Sequence, residues 1–318
     1  MDEQTIRTLL LQHNYQYLSS RIITTGKFNR SFAVEIEPKI IKGKEINQLI
    51  LRIAPPDDSG FIFYERGMMR QEPGLHQVIL ENTNLPVPVI FHNDFSRKLI
   101  DQDYLIMEFM PGQPLSSVSL SRQQHDRVMN QTGKYLAELH RHCKAADYGY
   151  LGEHQCMQPQ NNWRSAFEIM WMKMIEDNRK CGVYTKEDAD LAKNALKTNL
   201  QVFDFDLPPS LLHMDIWGQN ILIDSHGNIS AILDWDRALW GDPEIEYAVL
   251  DYCGFNNEAF WAGYGNQPEQ THESEIRRIF YHLYETQKYQ IIWTVRRPDP
   301  SGVDSYKQYA LQALKSLG

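Results

Sequence analysis

Between Leu211 and Asp236 the chain alternates short apolar runs with isolated polar side chains, a pattern few folds accommodate. Ile221-Leu222-Ile223 and Ala231-Ile232-Leu233 read as two short buried strands, and His226-Gly227-Asn228 between them reads as a turn. A hairpin of that kind returns the residue after its second strand to the residue before its first. Asp234 is therefore expected beside Asn220, despite their separation along the chain. Upstream, His213 and Asp215 sit on a sharp loop after Leu211-Leu212.

These residue types suit phosphoryl transfer, which asks little covalent help of a protein and depends on positioning and charge neutralisation. Asp215, a carboxylate on a loop, can accept a hydrogen bond from an attacking hydroxyl as catalytic base. Asn220 and Asp234 offer an amide oxygen and a carboxylate, the hard oxygen ligands that magnesium prefers. His213 reads as a structural residue that holds the loop by hydrogen bonds. The pattern HxDxxxxN alone is loose, and Asp is common in surface turns. The second Asp behind a buried hairpin makes the combination specific.

The rest of the chain divides at Met110-Pro111-Gly112-Gln113-Pro114, its clearest break in composition. Before it, apolar Ile6, Leu9, Leu10 and Tyr17 predict a helix over 3–18. Strands are expected at 21–25, 31–36, 48–53, 89–92 and 104–109, with a polar hairpin over 38–47 and a loop at 55–60. A helical stretch at 66–82 contains Pro73, which either kinks it or lies near its start. After the break, helices are expected at 124–142, 163–178, 186–200, 245–252 and 273–294. The 318 residues are 42% hydrophobic and 23% charged, ordinary for a soluble globular protein of two lobes. The polar start lacks the layout of a signal peptide, and no apolar run is long enough to cross a bilayer. A net charge of −9 disfavours nucleic-acid or anionic-membrane partners and would suit a cationic substrate. Cys143, Cys156, Cys181 and Cys253 form no CxxC pair, which points to a reducing cytoplasm.

The segment 211–236 resembles the catalytic and metal-binding region of the aminoglycoside phosphotransferase family, whose fold is similar to that of protein kinases. Leu233-Asp234-Trp235-Asp236, Gly241-Asp242-Pro243 and Tyr135-Leu136-Ala137-Glu138-Leu139-His140 carry the same resemblance, which runs from about residue 20 to about 265. It implies an α+β, two-lobed protein-kinase-like fold. A mainly β N-terminal lobe would span 1–109 and a mainly α C-terminal lobe 110–318. It also implies a small-molecule kinase that moves the γ-phosphoryl group of ATP or GTP onto a hydroxyl of an aminoglycoside-like or other hydroxylated small molecule. In that resemblance Gly26 to Ser31 covers the phosphates, though a plain β-turn fits the same residues. Arg52 stands where kinases carry a phosphate-binding lysine; an ordinary strand-end cation is the alternative. Glu72 would pair with Arg52, with Glu65 as competitor. Glu108 and Met110 would present hinge backbone to the nucleobase. Glu246 resembles the residue that braces the catalytic loop, and Asp236 would either help the metal or form a surface salt bridge.

Trp217 in place of a lysine, Trp235-Asp236 in place of Phe-Gly, and the short run to Gly241-Asp242-Pro243 all favour a small acceptor over a protein. The loop Asp215-Ile216-Trp217-Gly218-Gln219-Asn220 is also similar to that of fructosamine kinases. A catalytically silent nucleotide-binding module is the rival from another class. GxxxxGK[ST] and GxGxxG are both absent, and His272-Glu273 lacks the second histidine of a zinc protease, since position 276 is Ile. The acceptor pocket is expected among residues of about 150–205 and after 250.

Overall fold

The computed structural model describes residues 2–26, 28–56 and 60–317. The chain opens with helix α1 (Glu3–Gln12), capped by the Asp2 carboxylate. It is shorter than its apolar spacing predicts, because Asn14 adopts a left-handed conformation and turns the chain into a strand. Strands β1 (Tyr17–Ile23), β2 (Arg30–Ile41), β3 (Lys44–Ile53), β4 (Ile90–Asp94) and β5 (Tyr104–Glu108) form one sheet in the order β1-β2-β3-β5-β4. All four pairings are antiparallel. The expected polar hairpin is the tip of β2 and β3, with Gly43 at positive φ in its turn. Ile6, Leu9 and Leu10 of α1 share a core with Val34, Leu49 and Leu51 of the sheet. The expected loop at 55–60 falls partly on residues 57–59, outside the described residues.

Helix α2 (Glu72–Asn82) carries Pro73 in its first turn, where proline lacks no needed hydrogen bond, so Pro73 marks a start and not a kink. A 3-10 turn over Met68–Gln71 leads into it. A two-residue strand, β6 (Gln113–Pro114), follows, and then helix α3 (Arg122–His142), opened by a Ser121–Gln124 capping box. Helices α4 (Trp163–Lys180) and α5 (Lys186–Asn199) precede the strands that hold the polar residues of interest. These are β7 (Ser210–Leu212), β8 (Ile221–Ile223), β9 (Ile229–Ile232) and β10 (Leu239–Gly241). Helices α6 (Pro243–Tyr252), α7 (Glu258–Tyr264), α8 (His272–Val295) and α9 (Pro300–Ser316) complete the chain. The expectation of a β-rich first part and a helical second part matches this order. Among the described residues no helix is long and apolar enough to cross a membrane.

Helices α7 and α9 have no counterpart in the sequence expectations. α7 holds a glycine among aromatic residues, a composition of poor helix propensity, and owes its place to packing. Its backbone lies directly on α3. A Cβ at Gly133 would run into the carbonyl oxygen of Phe260, and one at Gly263 into the carbonyl oxygen of Asn130. The two glycines therefore set the separation of the helices. Gly133→Ala or Gly263→Ala should each destabilise the protein by about 1–3 kcal/mol through overpacking, read as a lower urea midpoint. An exposed control such as Gly182, whose Cβ would meet open space but whose φ is positive, should cost about 1 kcal/mol or less through strain alone.

Candidate active site

The hairpin β8–β9 forms as its pattern demands, with Ile221 opposite Ile232 and Leu222 opposite Ala231. Its turn is held by Asp224, whose carboxylate accepts from the His226 and Asn228 amides at 2.8 and 2.9 Å. The ladder continues one step further, where the Leu233 amide donates to the Asn220 carbonyl at 2.8 Å. Asp234 follows at once, and its φ of 70° places it in the left-handed region that non-glycine residues rarely occupy. Met214, on the loop before Asp215, is also left-handed, with φ 62°. Strained backbone held this firmly by its surroundings clusters at functional sites.

Three buried side chains hold the loop. His213 bridges it: one ring nitrogen lies 2.9 Å from the Leu233 carbonyl, and the other accepts from the Asp215 amide at 3.2 Å. The first nitrogen therefore carries the proton, and the structural role expected of His213 stands on those contacts. The ring also lies 4.3 Å from that of Trp235, which is fully buried. Glu246 accepts from the Met214 amide at 2.7 Å and contacts the His140 ring at 2.7 Å. Burial pushes Glu246 up, but the His140 hydrogen bond and charge outweigh it and hold the carboxyl below its ordinary range. A longer Glu thus reaches the loop that the resemblance assigns to a shorter Asp.

Asp215 faces a cavity of about 780 Å³. Asn220 donates its amide hydrogens to the Asp215 carbonyl at 2.9 Å and carboxylate at 3.0 Å. Burial alone would raise the Asp215 pKa. Arg237, 3.6 Å from Oδ1, with Lys288 and His213, pulls harder and keeps the group below the usual carboxylate range. The carboxylate is thus ionised and ready to accept a proton.

On the opposite wall Arg52, from β3, is nearly buried and holds three carboxylates. Its guanidinium lies 2.5 Å from Glu72 and 2.9 Å from Asp236, and it also pairs with Asp234. Burial opposes its charge, but Asp234, Glu72 and Asp236 keep it firmly protonated. Three carboxylates exceed one guanidinium. Burial raises Glu72 to about 8 against the pull of Arg52, and burial with neighbouring Asp234 raises Asp236 to about 7. Burial and mutual repulsion thus favour a proton or another cation on this cluster. Glu65, the competitor of Glu72, goes elsewhere: it accepts from Arg237 at 3.3 Å and Arg296 at 3.0 Å.

The cavity is lined by Gly26, Ser31, Arg52, Glu108, Met110, Asp215, Asn220 and Asp234, so the fold brings together residues spread across the chain. Glu72 lies behind Arg52, fully buried. Two expectations change. Asp236 forms no surface pair with Arg237; it is buried and bonded to Arg52 and to the Asn29 side chain at 2.8 Å. Among the described residues no lining group comes from 150–205, because α4 and α5 are packed into a separate core. The Glu108 amide donates to the Val89 carbonyl at 2.8 Å, which leaves hinge contacts to its carbonyl and to residues beyond it. Within the loop 26–31, Lys27 lies outside the described residues. Sequence reasoning missed Asn29, Gln71, which donates to the Asp236 carbonyl at 2.5 Å, and the pairing of Arg237 with Asp215. Only Arg237 had a signal, its position directly after the Asp234-Trp235-Asp236 run.

The phosphotransferase enzyme family model matches residues 29–275, most of the chain. The chain belongs to that family. A probable ketoamine kinase of Vibrio vulnificus is 27% identical over 64% of this chain and 67% of its own length. One of Vibrio parahaemolyticus is 25% identical over 57% of this chain, and the match spans 60% of that relative. Among solved structures, aminoglycoside phosphotransferase APH(4)-Ia in ternary complex with AMP-PNP and hygromycin B superimposes with a TM-score of 0.65. That match has 16% identity and covers 98% of this chain and 97% of the other. The phosphotransferase fold is therefore the two-lobed protein-kinase-like one, and the chain is an enzyme of the phosphotransferase class.

The buried ion pair of this family member is open to test. Arg52→Ala leaves Glu72 without its cation and should destabilise by about 3–5 kcal/mol in urea unfolding. Adding Glu72→Gln should recover part of that loss. An equally unstable double variant would show that the pair carries none of the stability.

Proposed function

We propose that this phosphotransferase is an ATP-dependent, magnesium-requiring kinase of a small hydroxylated acceptor, with Asp215 as its catalytic base. The convergence of Asp215, Asn220, Asp234 and Arg52 on one cavity carries the reading. The sheet lobe of residues 1–109 would bind the nucleotide, and residues 110–318 would hold the catalytic loop and acceptor. The base would lie between apolar Ile23, Ile50, Leu222 and Leu233, with the backbone of Glu108 and Met110 at its edge. Gly26 and Ser31 would cover the phosphates. ATP is favoured over GTP by the AMP-PNP complex of the structural relative, and GTP is the alternative donor.

Magnesium fits the residues present. The Asn220 amide hydrogens are spent on Asp215, which leaves its oxygen to act as a ligand, and Asp234 adds a carboxylate within a cluster of surplus negative charge. Phosphate oxygens and water would complete the shell. The ion, when bound, neutralises charge on the phosphate oxygens. Arg52 binds phosphate oxygens from the other side while Glu72 fixes its fork.

Transfer then follows from the geometry of Asp215. Its carboxylate orients the acceptor hydroxyl and takes up its proton as the hydroxyl oxygen bonds to the γ-phosphorus. The bond from the γ-phosphorus to the bridging β-oxygen breaks, and the nucleoside diphosphate leaves with that electron pair. Asn220 and Arg237 keep the carboxylate in place. Ketoamines are the acceptor class best supported by the relatives, which carry that name. The same reading places the enzyme in the cytoplasm, where triphosphate is available and its unpaired cysteines stay reduced.

Asp215→Ala should keep its affinity for magnesium nucleotide and lose transfer about a thousandfold. Asp234→Ala should weaken nucleotide binding as well, and only when magnesium is present. Calorimetric titration of nucleotide with and without the metal, alongside diphosphate release, reads both. Undiminished turnover by Asp215→Ala would remove the assignment.

A further inference from the structure

The part of the cavity lining that comes from residues after 250 has a composition unlike the rest of this acidic chain. From Tyr252 onward its lining is aromatic, apolar or basic: Tyr252, Tyr289, Trp293, Arg296 and Arg297 carry its character. Among the described lining residues no carboxylate lies on that side except Asp215 itself, already matched by Arg237. A polycationic acceptor, which the net charge of −9 would suit, finds no acidic wall here.

The two arginines differ in what holds them. Arg296 donates to Glu65 at 3.0 Å and its guanidinium lies 5.4 Å above the Phe28 ring, yet its Nε is buried without a hydrogen-bond partner. Glu65 is shared with Arg237, so one carboxylate serves two guanidinium groups. Arg297 is exposed, lines the cavity and forms no ion pair with any described residue. Arg297 thus lines the cavity as a cation with no counter-charge among the described residues, and Arg296 shares its carboxylate with Arg237. The fork of arginine matches carboxylate and phosphate, so these cations suit an oxyanion. Tyr289 stacks on Tyr252 with ring centroids 4.7 Å apart, and Trp293 lies tilted 5.6 Å from Tyr289, so these three rings cluster in the same lining.

We infer that the acceptor is a hydroxylated molecule bearing an oxyanion, carboxylate or phosphate, which Arg296 and Arg297 hold while its carbon skeleton lies on Tyr289 and Trp293. This rests on the kinase reading and names the chemical class of its substrate. Anchoring the charged end at the C-terminal turn of α8 leaves the hydroxyl end to face Asp215. Arginines near a helix C-terminus also favour the helix dipole, and that role alone predicts a change in melting temperature with no change in acceptor discrimination.

The test uses matched probes and the whole chain: gluconate against gluconamide, glucose 6-phosphate against glucose, the fructose ketoamine of glycine against that of glycinamide, and kanamycin. Diphosphate release with magnesium ATP, and the thermal shift caused by each probe with AMP-PNP bound, are read for the wild type, Arg297→Ala and Arg297→Glu. The anionic member of a pair should be preferred about tenfold or more. Arg297→Glu should abolish that preference while KM for ATP stays unchanged. The pair that shows the preference distinguishes carboxylate from phosphate. Equal response to charged and neutral members, a preference for kanamycin, or a loss confined to KM for ATP would overturn the inference. So would the absence of any shift or turnover with the anions while the nucleotide binds normally. Failure to bind magnesium ATP at all would instead overturn the kinase reading.

Discussion

One guanidinium joins the two halves of this molecule. Arg52 belongs to the central strand of the sheet, Glu72 to the helix behind it, and Asp234 and Asp236 to the strand end of the helical part. A charge buried this deeply is costly unless every one of its partners is in place. The position of β3 is therefore tied to the position of the β8–β9 hairpin, and Asn29 adds a second tie from the loop between β1 and β2 to Asp236. The excess of carboxylates over cations makes the cluster incomplete by itself. In the proposed reading, a triphosphate with its divalent ion would carry both the positive charge that the carboxylates lack and oxyanions that Arg52 could bind.

The catalytic loop is organised by a different kind of constraint. Met214 and Asp234 both hold left-handed backbone, a cost of about 1–3 kcal/mol each that persists only under firm restraint. His213, Glu246 and His140 supply that restraint through buried hydrogen bonds to backbone and to one another. None of the three lines the cavity. They bring Asp215 and Asp234 to one wall by fixing the chain that carries them, so the chemistry of the site depends on residues that would never touch a substrate.

How much of this could be read in advance varied with the range of the interaction. The hairpin and its two polar neighbours were legible because period, turn and strand length agree locally. Helix α2 was legible in outline, and its start needed only the rule for proline in a first turn. Helix α7 was not, because its glycine suits packing against α3 and opposes helix formation, and pairing across so many residues leaves no local trace. The choice of Glu72 over Glu65 and the partners of Asp236 were equally hidden, since each depends on which side chains are buried together. The expected acceptor wall at 150–205 failed for the same reason: aromatic residues at helical spacing there form core.

The cavity carries charge of both signs. Its lining combines the carboxylates around Arg52, an ionised Asp215 paired with Arg237, and two further arginines, Arg296 and Arg297, of which Arg296 shares Glu65 with Arg237. In the proposed reading a magnesium triphosphate would sit by Arg52, where a cation would share with that guanidinium and with bound protons the task of offsetting Glu72, Asp234 and Asp236. An acceptor with no charge would occupy the cavity without answering the arginines, and a cationic one would face them unfavourably. In the inferred arrangement, a single negative group would meet the unpaired Arg297, and the neutral hydroxyl end would be left to face Asp215.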